Sequence, residues 1–361
     1  MLKIKEITIE GYEKVIEGTD EETGLHCYIA VHSTALGPSL GGTRIFPYES
    51  KEKALHDALR LAKAMTKKSA LAESGFGGGK SVIIADPFRE KTPELLASFA
   101  QAVNSLEGSY IAAEDVGSSV EDMAIVKKFT PYVAALVSQK SSGDPGPFTA
   151  WGVFMGIKAT AMHLWGSASL KGKKIAVQGL GHVGSKLLEF LFWEGAELVI
   201  ADIVPGRSDR FHALYDTRQV DPSEILSVPC DIFSPCAMGG ILNRETIPLL
   251  HCRGIAGAAN NQLLELSDGR LLFERGILYA PDFVINAGGI INASLEFAPG
   301  GYQAHVAREK TGKIYETLTD IYTQSQSEQK PTDSVAEEMA EYKIKNKIGR
   351  RTIPLDFSDD H

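Results

Sequence analysis

Two glycine-rich stretches and a few charged residues carry the chemistry that the sequence offers. GLGHVG at 179–184 matches G-x-G-x-x-G, with an apolar strand pattern at 174–178 before it and a helical pattern to about Phe192 after it. In that setting Gly179 permits a tight turn, Gly181 lets the main chain approach a pyrophosphate, and Gly184 lets the helix pack close to the strand. Together with Leu180, His182 and Val183 these residues are expected to hold a dinucleotide at the helix N-terminus. A second strand pattern, 197–201, ends at Asp202. That carboxylate would accept from a ribose 2′-OH and repel a 2′-phosphate, which favours NAD over NADP. The alternative is a Rossmann-like domain that holds no nucleotide.

GFGGGKS at 75–81 invites comparison with a phosphate-binding P-loop, but the spacing refuses it. Glycine is needed at position 74, which is Ser74, and counting from Gly75 leaves the loop one residue short. Three glycines before Lys80 instead predict a turn with no side chains to crowd a ligand. A lysine enclosed by glycine and apolar residues has its pKa lowered by desolvation, and the neutral amine is a competent general base. A solvated surface lysine is the plainer alternative. Lys68 at the end of a preceding helix, Asp115 at the end of a strand and a second predicted turn at Gly41–Gly42 belong to the same part of the chain. Two lysines and an aspartate suit a small anionic substrate, one cation holding a carboxylate while the other groups move protons; Asp115 as a simple turn residue is the alternative.

These residues must be positioned by an alternating framework. Residues 27–32 read as a strand leading into the glycine-rich turn 36–44, and 51–66 as a helix with Leu55, Ala58, Leu59, Ala62 and Met65 on one face. SVIIA (81–85) and 110–113 read as strands, with a helix over about 93–106 capped by Thr92 between them. Ser119 and Asp122 form a capping-box pattern. SSGDPGP (141–147) is linker-like, a helix follows over about 149–165, and short apolar strands recur at 231–234, 253–257 and 277–280. A further capping box at Ser334 and Glu337 is expected to open a helix through about 349. The fold class predicted is α/β with two domains. Residues 1–143 are expected to form a substrate-binding domain and 144–332 a doubly wound NAD-binding Rossmann domain; that a C-terminal helix of about 333–361 joins the first domain, and that this domain serves oligomerisation, is implied only by resemblance to a known family.

Composition sets the outer limits. At 361 residues the chain is long enough for two cores without disulfide or metal staples. A net charge of −9 makes nucleic acid an unfavourable partner. The start MLKIKEITIE has no apolar signal segment, and no apolar run reaches membrane-spanning length, so no membrane association and a cytoplasmic location are expected. Cys27, Cys230, Cys236 and Cys252 have no metal-ligand spacing, so no metal site is predicted and the four are expected as buried thiols. The 35 glycines exceed ordinary usage, and the notable ones stand at the sites above and at 239–240 and 288–289.

The chain resembles the Glu/Leu/Phe/Val dehydrogenase family. The similarity runs nearly end to end through LGPSLGGTR (36–44), DALRLAKAMTKKSA (57–70), GGGKSVI (77–83), AAEDVGSSVEDM (112–123), VQGLGHVG (177–184), CDIFSPCAMGG (230–240), IAGAANNQL (255–263) and ILYAPDFVINAGGIIN (277–292). The resemblance implies that Lys68 binds the substrate carboxylate, that Lys80 is the general base, and that Asp115 assists proton transfer. It further implies that Asn261 contacts the substrate carboxylate region and that Gly41 is a substrate-binding residue. Thr149 and the backbone around Cys236, Ala237 and Asn286 to Gly289 are implied to line a nicotinamide site. The implied reaction is L-amino acid, NAD and water giving 2-oxo acid, ammonium and NADH, in a cleft between the domains of a homo-oligomer.

Leu40, Ala113, Ile290 and Ala293 are implied to line the side-chain pocket. Leu40 favours a branched aliphatic chain. Ala293 stands where leucine-specific members usually carry a larger valine, which makes the pocket roomier, and phenylalanine-like specificity is the alternative. None of the four is charged, which argues against glutamate. AESGF (72–76) departs from the family pattern, and Glu73 is expected to face solvent. The tail RRTIPLDFSDDH departs from it too, leaving the subunit count open. A catalytically silent NAD-binding protein and a nucleotide triphosphatase are the remaining readings.

Overall fold

The computed structural model describes residues 1–134, 142–355 and 357. The chain divides into two compact units: Met1–Asp144 with Ala293–Gln303 and Ala340–His361, and Pro145–Asn292 with Ala304–Met339. The division at Asp144 falls inside the linker-like stretch, of which Ser141 lies outside the described residues. The return of the chain to the first unit is at Ala340 rather than about 333, and the first unit also takes in 293–303.

The first unit is built on strands β1 (Lys3–Glu6), β2 (Lys14–Asp20), β3 (Leu25–Ser33), β4 (Ser39–Phe46), β5 (Gly77–Ile84) and β6 (Tyr110–Glu114), in the order β1-β2-β3-β5-β4-β6. β4 runs parallel to both β5 and β6, whereas β3 meets β5 antiparallel. Neighbouring residues point to opposite faces, as the pleat requires. Ile16 and Ile29 join one core with Phe99 and Val103 of α2 (Pro93–Asn104, after α1, Lys51–Leu71). Val15, Tyr28 and Ala30 join another with Ala54, Ala58 and Ala62 of α1. That alanine stripe, at i, i+4 spacing, lets α1 lie close to the sheet. Ser50 and Thr92 cap α1 and α2, accepting from the backbone N–H of Lys53 and Leu95, and the Ser119–Asp122 capping box opens α3 (Val120–Lys127).

Two expectations are corrected here. Gly41–Gly42 and Gly77–Gly79 are not turns but strand residues in β4 and β5. Their lack of a side chain serves packing. A Cβ on Gly41 would lie 1.9 Å from the Gly79 carbonyl oxygen, one on Gly78 2.1 Å from the Thr66 backbone nitrogen, and one on Gly79 2.7 Å from the Tyr110 ring. Read without a partner, consecutive glycines signal a turn; here they mark close approach of neighbouring backbone.

The second unit carries β7 (Lys174–Gln178), β8 (Glu197–Ala201), β9 (Arg218–Gln219), β10 (Ile232–Pro235), β11 (Gly254–Ile255) and β12 (Leu278–Tyr279), all parallel, in the order β12-β11-β10-β7-β8-β9. Its helices are α4 (Gly146–Trp165), α5 (Gly184–Trp193), α6 (Arg207–Tyr215), α7 (Leu266–Glu274) and α8 (Asp282–Ile285), followed by α9 (Gly288–Ser294), α10 (Ala304–Gly312), α11 (Ile314–Glu328) and α12 (Thr332–Lys345), of which α9 and α12 end in the first unit. Ala176, Val199, Phe233, Ile255 and Tyr279 bring five of the strands into one core. Reversal of strand order about β7 puts the switch point of a doubly wound sheet beside GLGHVG.

α12 begins at Thr332 and ends at Lys345, so Ser334 and Glu337 lie within the helix and not at its cap. Only Cys27 is fully buried; Cys230, Cys236 and Cys252 are half-buried, and all four are free thiols. Among the described residues, no helix is long and apolar enough to cross a membrane, and no group of three or more His, Cys, Asp or Glu is arranged to hold a metal ion.

Candidate active site

On the first sheet, register and pleat place a set of residues on one face. Leu40 pairs with Gly78, Gly42 with Ala113, and Lys80 with Ala30, which packs against α1. Residues two apart along a strand share a face, so Leu40, Gly42, Arg44, Gly78, Lys80 and Ala113 all look toward α1. Lys68, half-buried in the last turn of α1, comes two residues after Thr66, whose backbone lies against Gly78.

Lys80 is 5% exposed, and its Nζ donates to Asp115 Oδ2 at 2.6 Å. The glycine at 42 makes room for this pair, since a Cβ there would lie 2.7 Å from Asp115 Cβ and 3.0 Å from Lys80 Nζ. The Asp115 backbone N–H donates to Ser118 Oγ, which itself donates to the Thr43 carbonyl, so the loop after β6 is tied to β4. Burial pushes the Lys80 ammonium below the ordinary lysine range; Asp115 opposes this and the Arg44 charge adds to it. Burial disfavours the Asp115 carboxylate, but Lys80 and Arg44 outweigh it and hold Asp115 ionised below the usual range. A buried amine inclined to lose its proton, next to a fixed carboxylate, can take a proton from water and pass it on.

Arg44 and Asp57 are the site residues that sequence reasoning missed. Arg44 Nε donates to Asp115 Oδ2 at 3.1 Å and its Nη1 to Asp57 Oδ2 at 2.9 Å, while Tyr48 Oη and Arg60 Nη2 donate to the same Asp57 carboxylate. The available signal was period two: Arg44 follows Gly42 by two residues. Glu73 faces solvent, as expected, and pairs with Lys343.

In the second unit the glycine fingerprint has the geometry its spacing predicts. Gly179 has φ +91°, and a Cβ on Gly184 would lie 2.0 Å from the Gly179 carbonyl oxygen. A Cβ on Gly181 would meet nothing within 4 Å, so that position opens on free space. Leu180 N donates to Asp202 Oδ2 at 2.6 Å, tying the loop to the acid after β8. His182 and Val183 complete the turn into α5. Asp202 is engaged further, accepting from Val204 N at 2.8 Å and pairing with Arg207 Nη1 at 3.2 Å.

Cys236 N donates to the Gln178 carbonyl at 2.7 Å, and Ala237 stands exposed beside Gly179. Thr149 Oγ1 donates to the Pro145 carbonyl. A Cβ on Gly288 would lie 2.1 Å from the Phe148 carbonyl oxygen, so this segment packs on the start of α4. Asn286 Nδ2 donates to Asn260 Oδ1 at 2.7 Å and to the Ala258 carbonyl, while its buried Oδ1 lacks a partner. Asn261, at φ +51°, is held by its N–H donating to the Asp282 carboxylate. An open glycine turn, an acid after β8 and an orphaned amide oxygen suited to an amide N–H donor fit a nicotinamide dinucleotide.

The structure thus brings Lys80, Asp115, Leu40, Gly41 and Ala113 together on one sheet, with Lys68 and the buried Ala293 in the same unit. Asn261 and the buried Ile290 belong to the second unit with the dinucleotide set.

Residues 12–132 match the family model described as Glu/Leu/Phe/Val dehydrogenase, dimerisation domain, and 204–348 the model described as Glutamate/Leucine/Phenylalanine/Valine dehydrogenase. The leucine dehydrogenase of Geobacillus stearothermophilus is 46% identical over 92% of this chain and 90% of its own length. The phenylalanine dehydrogenase of Caldalkalibacillus thermarum is 41% identical over 98% and 96%. The crystal structure of L-tryptophan dehydrogenase from Nostoc punctiforme superposes with a TM-score of 0.82 at 41% identity, over 93% of this chain and 97% of that one.

Proposed function

The chain belongs to the Glu/Leu/Phe/Val dehydrogenase family and is an amino acid dehydrogenase, and from that premise we propose that it carries out reversible, NAD-dependent oxidative deamination of a branched-chain L-amino acid. The observation that carries the reading is buried Lys80, paired with half-buried Asp115, on the face shared with Leu40 and Ala113. NAD supplies the hydride acceptor for the substrate Cα–H, and the residues of the 179–184 turn, Asp202 and Asn286 are those that would hold it. Loss of hydride leaves an iminium; neutral Lys80 takes a proton from water as its oxygen bonds to the iminium carbon. Asp115, bonded to the same amine, stabilises the ammonium that forms. Return of that proton to the carbinolamine nitrogen lets the C–N bond break, and as it breaks Lys80, neutral again, takes the proton of the carbinolamine hydroxyl, so that ammonia leaves and the oxygen becomes the carbonyl of the 2-oxo acid.

Lys68 and Gly41 of the first unit are assigned to the substrate carboxylate, and Asn261 of the second unit is assigned to the same group. Leu40, Ala113 and Ala293 of the first unit and Ile290 of the second are assigned to the substrate side chain in this reading, and their uncharged character supports an apolar substrate. One methylene in such a pocket changes selectivity by only about 1–3 kcal/mol, so leucine, isoleucine and valine are all substrates. The small Ala113 and Ala293 favour phenylalanine as the second reading, a specificity carried by one of the relatives. Assembly as a homo-oligomer is proposed on the match of 12–132 to a dimerisation domain.

The experiment is NADH formation with a panel of L-amino acids at mildly alkaline pH, for the parent and Lys80→Ala. Highest kcat/KM with leucine, isoleucine or valine is expected, with turnover reduced by orders of magnitude in Lys80→Ala while NADH still binds. Preference for phenylalanine or tryptophan would overturn the branched-chain assignment; near-normal turnover in Lys80→Ala would overturn the base.

A further inference from the structure

Asp115 faces two cations at once. Its Oδ2 accepts from Lys80 Nζ at 2.6 Å and from Arg44 Nε at 3.1 Å. Were Lys80 its only partner, the carboxylate would favour the ammonium and work against the burial that draws the proton off. Arg44 changes the balance, because a guanidinium keeps its proton throughout the working pH range. The groups facing Lys80 are Asp115 after β6, Arg44 on β4 and Asp57 on α1. Arg60 on α1 and Tyr48 after β4 in turn hold Asp57. With Lys80 neutral, the carboxylates of Asp115 and Asp57 are matched by the guanidiniums of Arg44 and Arg60. Protonating Lys80, the buried member of the cluster, adds a further positive charge to it.

We propose that Arg44 is a positioning residue for deamination: anchored by Asp57, it aims Asp115 at Lys80 and supplies that carboxylate's counter-charge, leaving Lys80 to work as the neutral amine. The inference rests on Lys80 being the base. Geometry supports both parts of the role. Arg44 uses separate nitrogens for the two carboxylates, Nε for Asp115 and Nη1 for Asp57, so the planar fork fixes their separation. The Tyr48 hydroxyl, 2.6 Å from the Asp57 oxygen that Arg44 uses, fixes the far end.

The test follows Arg44→Gln and Arg44→Lys by two readouts in the intact enzyme. The first is the pH profile of kcat/KM for oxidative deamination. The second, independent of turnover, is the pH dependence of Lys80 acetylation by acetic anhydride, read by mass spectrometry of the Lys80 peptide. Arg44→Gln removes a repelling cation, so Lys80 holds its proton to higher pH. Both profiles are expected to move alkaline by about one unit, with activity roughly tenfold lower below the transition and recovering above it. Recovery at high pH is what a merely structural loss would not show. Arg44→Lys keeps the charge but not the fork, and a smaller shift is expected.

An unmoved acetylation profile in Arg44→Gln, or a shift in Arg44→Lys as large as in Arg44→Gln, would overturn the role of Arg44. Should acetylation move while the kinetic profile stays, the influence of Arg44 on Lys80 stands and Lys80 as the base falls. Should Arg44→Gln fail to fold, the Arg44→Lys profiles decide: a small alkaline shift supports the role, and none overturns it.

Discussion

Gly78 lies directly against the backbone of Thr66: a Cβ at 78 would come within 2.1 Å of the Thr66 nitrogen and 2.3 Å of its hydroxyl. The contact sets the distance between β5, which carries Lys80, and α1, which carries Lys68. The backbone nitrogen cannot yield as the end of a flexible side chain would. Gly78→Ala is therefore expected to push α1 off the sheet, with a stability loss of about 3 kcal/mol, the upper end of ordinary overpacking. Because the two lysines move apart, KM for the amino acid should rise as well. Thermal unfolding and steady-state kinetics of the variant check both.

Gly181→Ala gives the opposite pattern. Among the described residues nothing lies within 4 Å of a Cβ at 181, so stability should stay within about 0.5 kcal/mol of the parent. In the proposed dinucleotide site the methyl group would take up space assigned to the pyrophosphate, and NADH affinity should fall. Fluorescence titration with NADH beside a melting curve separates it from Gly184→Ala, where a Cβ 2.0 Å from the Gly179 oxygen should cost stability too.

In the proposed NAD site, Asp202 and Arg207 are the pair expected to set cofactor choice. The carboxylate repels a 2′-phosphate, but it already pairs with Arg207 Nη1, a cation that would attract one. Asp202→Ala should release Arg207 and raise NADPH affinity relative to NADH, whereas Arg207→Ala should sharpen the preference for NADH. Dissociation constants for the two reduced cofactors check the pair; an unchanged ratio in both variants would remove this segment from cofactor selection.

Asp333, in the first turn of α12, has its pKa pushed up to about 6 by burial, with the negative charges of Glu337 and Asp282 adding to it. Its Oδ1 is buried without a partner, and a Cβ on Gly269 would lie 2.3 Å from it. The sign is the reverse of a salt-bridged carboxylate: the folded state binds the proton more tightly than the unfolded state does. Stability from this group is present below pH 4 and lost as pH rises through about 6. Asp333→Asn should therefore be more stable than the parent at pH 7, by at most about 3 kcal/mol, with the difference shrinking as pH falls toward 4. Denaturant unfolding at several pH values measures it.

The dinucleotide half was the more legible of the two. GLGHVG, the flanking strand and helix, and Asp202 all lie within 29 residues, so local spacing carries the geometry. What it did not carry was the occupation of Asp202 by Arg207, an orientation the chain adopts after Gly206 turns it at φ +73°. In the other half Lys68, Lys80 and Asp115 were legible as types, and the family resemblance gave them roles. Their mutual placement was not, because Asp115 is 35 residues from Lys80 and Arg44 is 71 from Asp115.

By itself the sequence determined the two-domain α/β class, the position of the fingerprint and the residue types able to do the chemistry, since these depend on periodicity and short-range spacing. Only the tertiary structure decided what the consecutive glycines are for. A turn and a crowded strand ask for the same residue, and the difference lies in which backbone arrives from elsewhere: Thr66 against Gly78, Gly79 against Gly41. It also decided that Asp115 answers to Arg44 as well as Lys80. The proton balance of a buried amine depends on every charge within a few ångströms, and that neighbourhood exists only after β4, β5 and β6 have paired.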